Sequence, residues 1–236
     1  MADREESPRQ GCRSVSVIVI GNGPSAATGS RGDEIDLFDT VVRCNQFQCE
    51  PPFAEHVGRK TDVWFTCGDF TNDLRGATHR KKTFRHPDLY RQTIFVGFGN
   101  ILGYRSFAKL KARYERKPTK DRLLGVCQEL VGRLQDAMPL DAPVGDGRMH
   151  GIPSTGLLAI AHFLEIIGEP VVHIHGFDFF EGSENGAKHH YFAKYKRSGQ
   201  HGWHTGEPER RLVDQWRAEG RVLSLIPEES SAGLGG

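Results

Sequence analysis

No apolar run in this 236-residue chain approaches the ~20 residues needed to cross a bilayer. The opening MADREESPRQGCRS is charged and polar where a secretory signal would carry an apolar core, and no N-x-S/T acceptor occurs. Cysteine is scarce and odd in number. Cys12, Cys44, Cys49, Cys67 and Cys127 contain no C-x-x-C pair, which argues against a disulfide framework and a structural zinc site. A dominant charge is missing too: 31 basic against 30 acidic residues leave a formal net charge of +1, so no global field recruits nucleic acid or a membrane. No nucleic-acid-binding signature appears either. These absences together predict a soluble protein of the reducing cytoplasm with no nucleic-acid partner.

What is present fits one sizeable core. A single domain over residues 15–227 is expected, between a disordered tail at 1–14 and a flexible one at 228–236. Short runs rich in Val, Ile and Phe recur at Val15 to Ile20, Thr40 to Arg43, Asp62 to Thr66, Thr93 to Val96, Val171 to His175 and Val222 to Leu225. These read as strands. Helical patterns fall at Ser106 to Arg116, Lys120 to Ala137, Ser154 to Ile167 and Pro208 to Glu219. Strands alternating with helices predict an α/β, Rossmann-like fold: a mostly parallel sheet covered on both faces.

Two polar signatures close buried strands: Gly21-Asn22-Gly23-Pro24-Ser25 after the first, and Arg43-Cys44-Asn45-Gln46-Phe47 after the second. Phosphorylated ligands bind at carboxyl-end crevices of such sheets, and small residues there let backbone N–H groups come close. A plain tight turn explains the glycines equally well. The helix after Pro153 is the best defined. Ser154 offers a capping hydroxyl, LLAIAHFLEII is apolar on nearly every side, and Gly168 stops it. Its first residues, Ser154, Thr155 and Gly156, carry unpaired N–H donors suited to an anion, although a simple cap is the plainer reading.

Residues 181–206 have no sustained period and are filled with Gly, His, Lys and aromatics, as a long functional lid loop would be. His189, His190, His201 and His204 lie in it. Their spacing matches no helical ligand set, which disfavours a metal. An imidazole titrating near ~6.5 suits proton transfer instead, and His204 is the candidate, with Glu209 five residues on to orient its surroundings. Tyr191, Tyr195 and Trp203 offer stacking faces, or simply pin the loop. His173 and His175 alternate along a strand and read as structural. Basic residues gather over Arg75 to Arg91 and Arg105 to Arg122. They form either a solvated helix face or a peripheral contact for an anionic acceptor or membrane headgroups.

Taken in chain order, these segments resemble the sialylmotifs of sialyltransferases. GNGPS followed by EIDLFDTVVRCNQF resembles the large motif, and IPSTGLLAIAHFLEIIGEPVVHIHGFDFF the small one. KHHYF is similar to the third motif, and His204 through Glu209 to the very small motif, HxxxxE. GNGPS and RCNQF look bacterial, whereas HYF and HxxxxE look like the animal branch. The resemblance implies a GT-A-like variant of the fold and an inverting, metal-independent transfer from a CMP-sugar to a hydroxyl of a glycan or glycolipid, with no cofactor. It further implies that Gly21, Asn22, Gly23, Ser25 and Asn45 contact the nucleotide and that Ser154, Thr155 and Gly156 cradle ribose or phosphate. Gly176 and Asp178 would complete the pocket, His190 and Tyr191 would steady the departing phosphate, and His204 would be the base. Phe180 stands where bacterial members carry a phosphate-binding tyrosine. The arginine expected before the small motif is missing at Ile152-Pro153, with Arg148 the nearest. Sialic acid, Kdo and other 2-keto sugar acids all stay open as the donor sugar. A nucleotide-binding module without turnover and a histidine-ligated metallohydrolase are the alternatives from other classes.

Overall fold

The computed structural model describes residues 15–45, 47–66, 91–95, 123–138, 152–180, 190–191 and 206–225. Seven strands run through them: β1 (Val17–Ile20), β2 (Thr40–Cys44), β3 (Val63–Thr66), β4 (Gln92–Phe95), β5 (Leu123–Gly125), β6 (Val172–His175) and β7 (Val222–Ser224). They form one sheet in the order β5-β4-β3-β2-β1-β6-β7, every pair parallel. The chain steps outward from β1 to β5 and then returns to lay β6 on β1's other side. The direction of winding therefore reverses between β1 and β6, and their carboxyl ends bound the crevice where ligands of such sheets bind.

Helices cover both faces because the strands alternate. Val17 and Val19 of β1 and Val42 of β2 belong to a core shared with α3 (Gln128–Ala137), α4 (Thr155–Ala161) and α5 (Gly206–Ala218). Ile18, Ile20 and Val41 point the other way, into a smaller core with the 3-10 turn Pro24–Ala27, α1 (Gly32–Asp36) and α2 (Ala54–Val57). Each fully buried aliphatic side chain contributes about 1.5–3 kcal/mol. Leu157 through Ala161 are all buried, as expected for a helix that is apolar on every side. Past Ala161 the helix widens into a π-type stretch, His162–Ile167, and Gly168, at φ 82°, closes it.

One expected helix is shorter than its pattern. Of residues 120–137, Leu123–Gly125 form the edge strand β5 against β4, and the helix begins only at Gln128. Leucines followed by glycine serve a strand edge as readily as a helical turn, and pairing with β4 decides the matter. The expected helix at 106–116, both tails and most of the 181–206 loop lie outside the described residues.

β1 and β6 are drawn together past their last paired residues. Gly21 N–H donates to His175 O at 2.7 Å and Gly23 N–H to Gly176 O at 3.0 Å. A methyl group on Gly21 would lie 2.2 Å from Gly176 O, and one on Gly176, at φ +73°, would lie 2.4 Å from the Ala26 Cβ. Both glycines are thus set by geometry. Gly176→Ala is expected to cost about 2 kcal/mol or more in urea unfolding, from the left-handed backbone and the clash together. Gly125→Ala, which meets nothing within 4 Å, should stay within about 0.5 kcal/mol.

Candidate active site

The glycine turn after β1 is held from two sides. Asn22 Nδ2 donates to Cys44 O at 2.9 Å, and Ser25 N–H donates to Asp178 Oδ2 at 2.9 Å across 153 residues of sequence. A Cβ on Gly23 would lie 2.4 Å from that same carboxylate oxygen. Asp178 therefore clamps the turn through its carboxylate, and Gly23 lets it close in.

Asn45 ends β2 in the left-handed region, at φ 49°. Its N–H donates to Phe65 O at 2.8 Å, its carbonyl accepts Trp64 Nε1–H at 2.7 Å, and its Nδ2 donates to Thr155 Oγ1 at 3.0 Å. That last bond joins residues 110 apart in sequence, tying the RCNQF turn to the first residue of α4. Beneath it lies Arg43, fully buried with no carboxylate partner among the described residues. Its Nε donates to Lys60 O and Thr61 Oγ1, its Nη2 to Val57 O and Gly58 O, and its guanidinium sits 5.4 Å from the Phe47 ring centroid. An arginine set between Val42 and Cys44 in an otherwise apolar strand was the sequence signal for this role.

At the start of α4, Ser154 Oγ accepts the Leu157 N–H at 3.2 Å and so caps the helix. The same serine is gripped by Glu209 from α5: Oε1 accepts Ser154 N–H at 2.7 Å and Oε2 accepts the hydroxyl at 2.6 Å. Glu209 is only 3% exposed, and burial pushes its carboxyl up to about 7, against the opposing pull of the two serine bonds. Gly156 leaves room for the Phe177 ring, whose nearest carbon lies 2.7 Å from where a Cβ would stand.

The third-motif residues cross over the glycine turn. Tyr191 N–H donates to Asn22 O at 3.0 Å. Its hydroxyl, however, is committed elsewhere: it donates to Gln48 O at 2.5 Å and accepts Gln48 N–H at 3.0 Å. The ring is 7% exposed and packs edge-on against Phe53, and burial pushes the phenol up to about 12. Tyr191 thus clasps the segment after β2, whereas the resemblance gave it to the leaving phosphate. His190 beside it is half-buried.

Phe179 and Phe180 follow β6 with φ 46° and 63°, both left-handed without being glycine. A Cβ on Gly206, the first residue of α5, would lie 1.8 Å from Phe179 O. Gly206 therefore stands directly against the Phe179–Phe180 turn that follows β6. His189, His201 and His204 lie outside the described residues, and so does every residue of the two basic stretches, Arg75 to Arg91 and Arg105 to Arg122, except Arg91. His175 is buried with Nε2 3.1 Å from Ala26 O, and His173 stacks edge-on against Phe38; burial lowers both imidazoles. Among the described residues no group of three His, Cys, Asp or Glu could hold a metal ion, and no helix is long and apolar enough to cross a membrane.

Residues 1–221 match the family model of glycosyltransferase family 29, the sialyltransferases. The chain belongs to this family. It is an enzyme of the sialyltransferase type. Its fold is similar to that of a mammalian sialyltransferase, at 19% identity and a TM-score of 0.61, covering 92% of this chain and 71% of that one. It is also similar to the monofunctional α-2,3-sialyltransferase Cst-I from Campylobacter jejuni, at 17% identity and a TM-score of 0.59, covering 97% and 80% of the two chains. A third likeness is to CstII from Campylobacter jejuni in complex with CMP-3FNeuAc, at 14% identity and a TM-score of 0.57, covering 91% and 82%. Compared by sequence with curated proteins, the chain has no significant match. The Rossmann-like, GT-A-like arrangement expected from the sequence is the one observed.

The Glu209 site carries a pH signature. A carboxyl raised from 4.5 to about 7 binds its proton more tightly in the native state than in the unfolded one. Its contribution to stability is present below the unfolded value and lost as pH rises through the folded one, a change on the order of 3 kcal/mol. Ser154 Oγ accommodates either form, donating to the carboxylate or accepting from the acid. Glu209→Gln, which stays neutral throughout, is expected to flatten the fall in urea midpoint between pH 5 and pH 8. An unchanged slope would assign that pH dependence to another group.

Proposed function

We propose that this enzyme transfers a sialic acid, or a related 2-keto sugar acid such as Kdo, from a CMP-sugar to a hydroxyl of a glycan, with inversion and without a metal. The observation that carries the reading is the bond between Asn45 and Thr155, which sets the large-motif and small-motif turns side by side near the switch point. Relatives of the same fold were solved with CMP-3FNeuAc, with a trisaccharide acceptor and CMP, and with Gal-beta-1-3GalNAc-ortho-nitrophenol. These ligands match a donor and an acceptor of the class proposed.

In this reading Gly21, Asn22, Gly23, Ser25 and Asn45 face the nucleotide, with Gly176 and Asp178 shaping the turn opposite. The start of α4, at Ser154, Thr155 and Gly156, turns its dipole and the N–H groups of Thr155 and Gly156 toward ribose or phosphate, the Ser154 N–H being held by Glu209. With Tyr191 committed to Gln48, His190 remains to steady the departing phosphate. His204 takes the proton of the acceptor hydroxyl as that oxygen attacks the anomeric carbon. The bond from that carbon to the phosphate oxygen breaks on the opposite face, and CMP leaves with the electron pair. Fixed donors already aimed at the phosphate stabilise this developing charge without reorganising. The reading also includes a cytoplasmic enzyme with one domain over 15–227, whose basic stretches meet an anionic acceptor or membrane headgroups.

The test is CMP release from CMP-sialic acid and from CMP-Kdo, with and without glycan acceptors. Slow release to water and faster release with acceptor are expected, unaffected by EDTA. His204→Ala should lower kcat by about 10²- to 10⁴-fold, the usual contribution of a positioned base. Unchanged turnover would remove His204 from that role. CMP binding with no release from any donor would mark a nucleotide-binding module, and EDTA-sensitive activity restored by zinc a metallohydrolase.

A further inference from the structure

Two of the turns at the crevice meet through a phenyl ring. Among the described residues no hydrogen bond joins residues 21–25 to residues 154–156: the glycine turn is bonded to Cys44, His175, Gly176, Asp178 and Tyr191, and the start of α4 to Asn45 and Glu209. Phe177 stands between them. A Cβ on Gly156 would lie 2.7 Å from its Cε1, and one on Gly21 would lie 3.1 Å from its Cδ2. Those two carbons are diagonally opposite across the ring, so the ring spans the gap with one glycine at each side.

The backbone that carries the ring is fixed on both flanks. Directly before it Gly176 O accepts Gly23 N–H at 3.0 Å, and directly after it Asp178 Oδ2 accepts Ser25 N–H at 2.9 Å. The ring itself is half-buried, packed against the larger core and tilted toward Phe179 with 6.2 Å between centroids. Hydrogen bonds thus hold each turn separately, and the ring sets the distance between them, because close-packed interiors give little.

We infer that Phe177 is a positioning residue for the transfer reaction: its ring is the spacer that sets the glycine turn and the start of α4 at the separation a bound nucleotide requires. The inference rests on the CMP-sugar reading above, in which both turns contact one nucleotide. Gly156 is then glycine to admit the ring, and its missing side chain is not a space kept for the ligand. An added methyl group at 156 overfills the gap and forces the turns apart, whereas a narrower side chain at 177 removes the obstruction.

The experiment is a double-mutant cycle read by calorimetric titration with CMP, on the wild type, Gly156→Ala, Phe177→Leu and the two combined, with urea midpoints measured alongside. Gly156→Ala should weaken CMP binding by roughly 5- to 100-fold, the range of an overpacked contact. Phe177→Leu, a shortened spacer, should weaken it by about 3- to 10-fold. In the leucine background the alanine should change affinity by no more than about twofold, so the second substitution rescues the first. If Gly156→Ala alone does not fold, the combined variant set against Phe177→Leu still decides. Phe177→Leu binding as tightly as the wild type, or an alanine whose cost is the same in both backgrounds, overturns the assignment. So does a coupling confined to the urea midpoints, which would mark the ring as structural only. Failure of the wild type to bind CMP at all overturns the CMP-sugar reading, and the positioning role with it.

Discussion

The close approach of two backbones at the carboxyl ends of β1 and β6 is the constraint on which the site depends. Two N–H groups of the glycine turn, from Gly21 and Gly23, are taken up by the carbonyls of His175 and Gly176. No side chain fits between them. Because β1 and β6 are neighbours in the sheet but far apart in the chain, this contact brings the first polar motif against the last strand of the small motif. Asp178 then reaches the Ser25 N–H, and the crevice mouth is closed on that side by a carboxylate doing the work of a cap.

On the other side, order passes through hydrogen bonds rather than through packing. Glu209 holds Ser154, Ser154 caps α4, Thr155 meets Asn45, and Asn45 is held in turn by Trp64 and Phe65. Each link joins a different secondary element, so the start of α5, the start of α4 and the ends of β2 and β3 share one geometry. Buried polar networks of this kind specify a unique arrangement when every member is satisfied. Arg43 extends the pattern by gathering four acceptors of residues 57–61 beneath the RCNQF turn. Its positive charge is spread over carbonyl oxygens, a hydroxyl and an aromatic face, which is how a buried guanidinium is held without a carboxylate.

Much of the fold was legible from periodicity. Alternating Val and Ile in β1, and an α4 apolar on every side, follow from where each element must bury its surface, and tertiary context only moved their ends by a residue or two. Leu123–Gly125 falls within a helical pattern because an edge strand this short has no period of its own; pairing with β4 defines it. The site was legible as motifs, but individual roles were not. Tyr191 looked like a ligand-facing phenol in KHHYF, and its hydroxyl instead serves Gln48, a partner no local pattern announces. Glu209 looked like an orienter of its own loop, and it grips a serine 55 residues earlier.

The sequence alone determined the parallel sheet, the positions of the glycine-bearing turns and the family, because hydrophobic period, turn chemistry and ordered motifs are local properties of the chain. Tertiary structure decided which polar atoms are spent on holding the fold. Asn22 shows the reason: its amide nitrogen completes an edge that β1 abandons, and only the ending of one strand beside another brings Cys44 O within its reach.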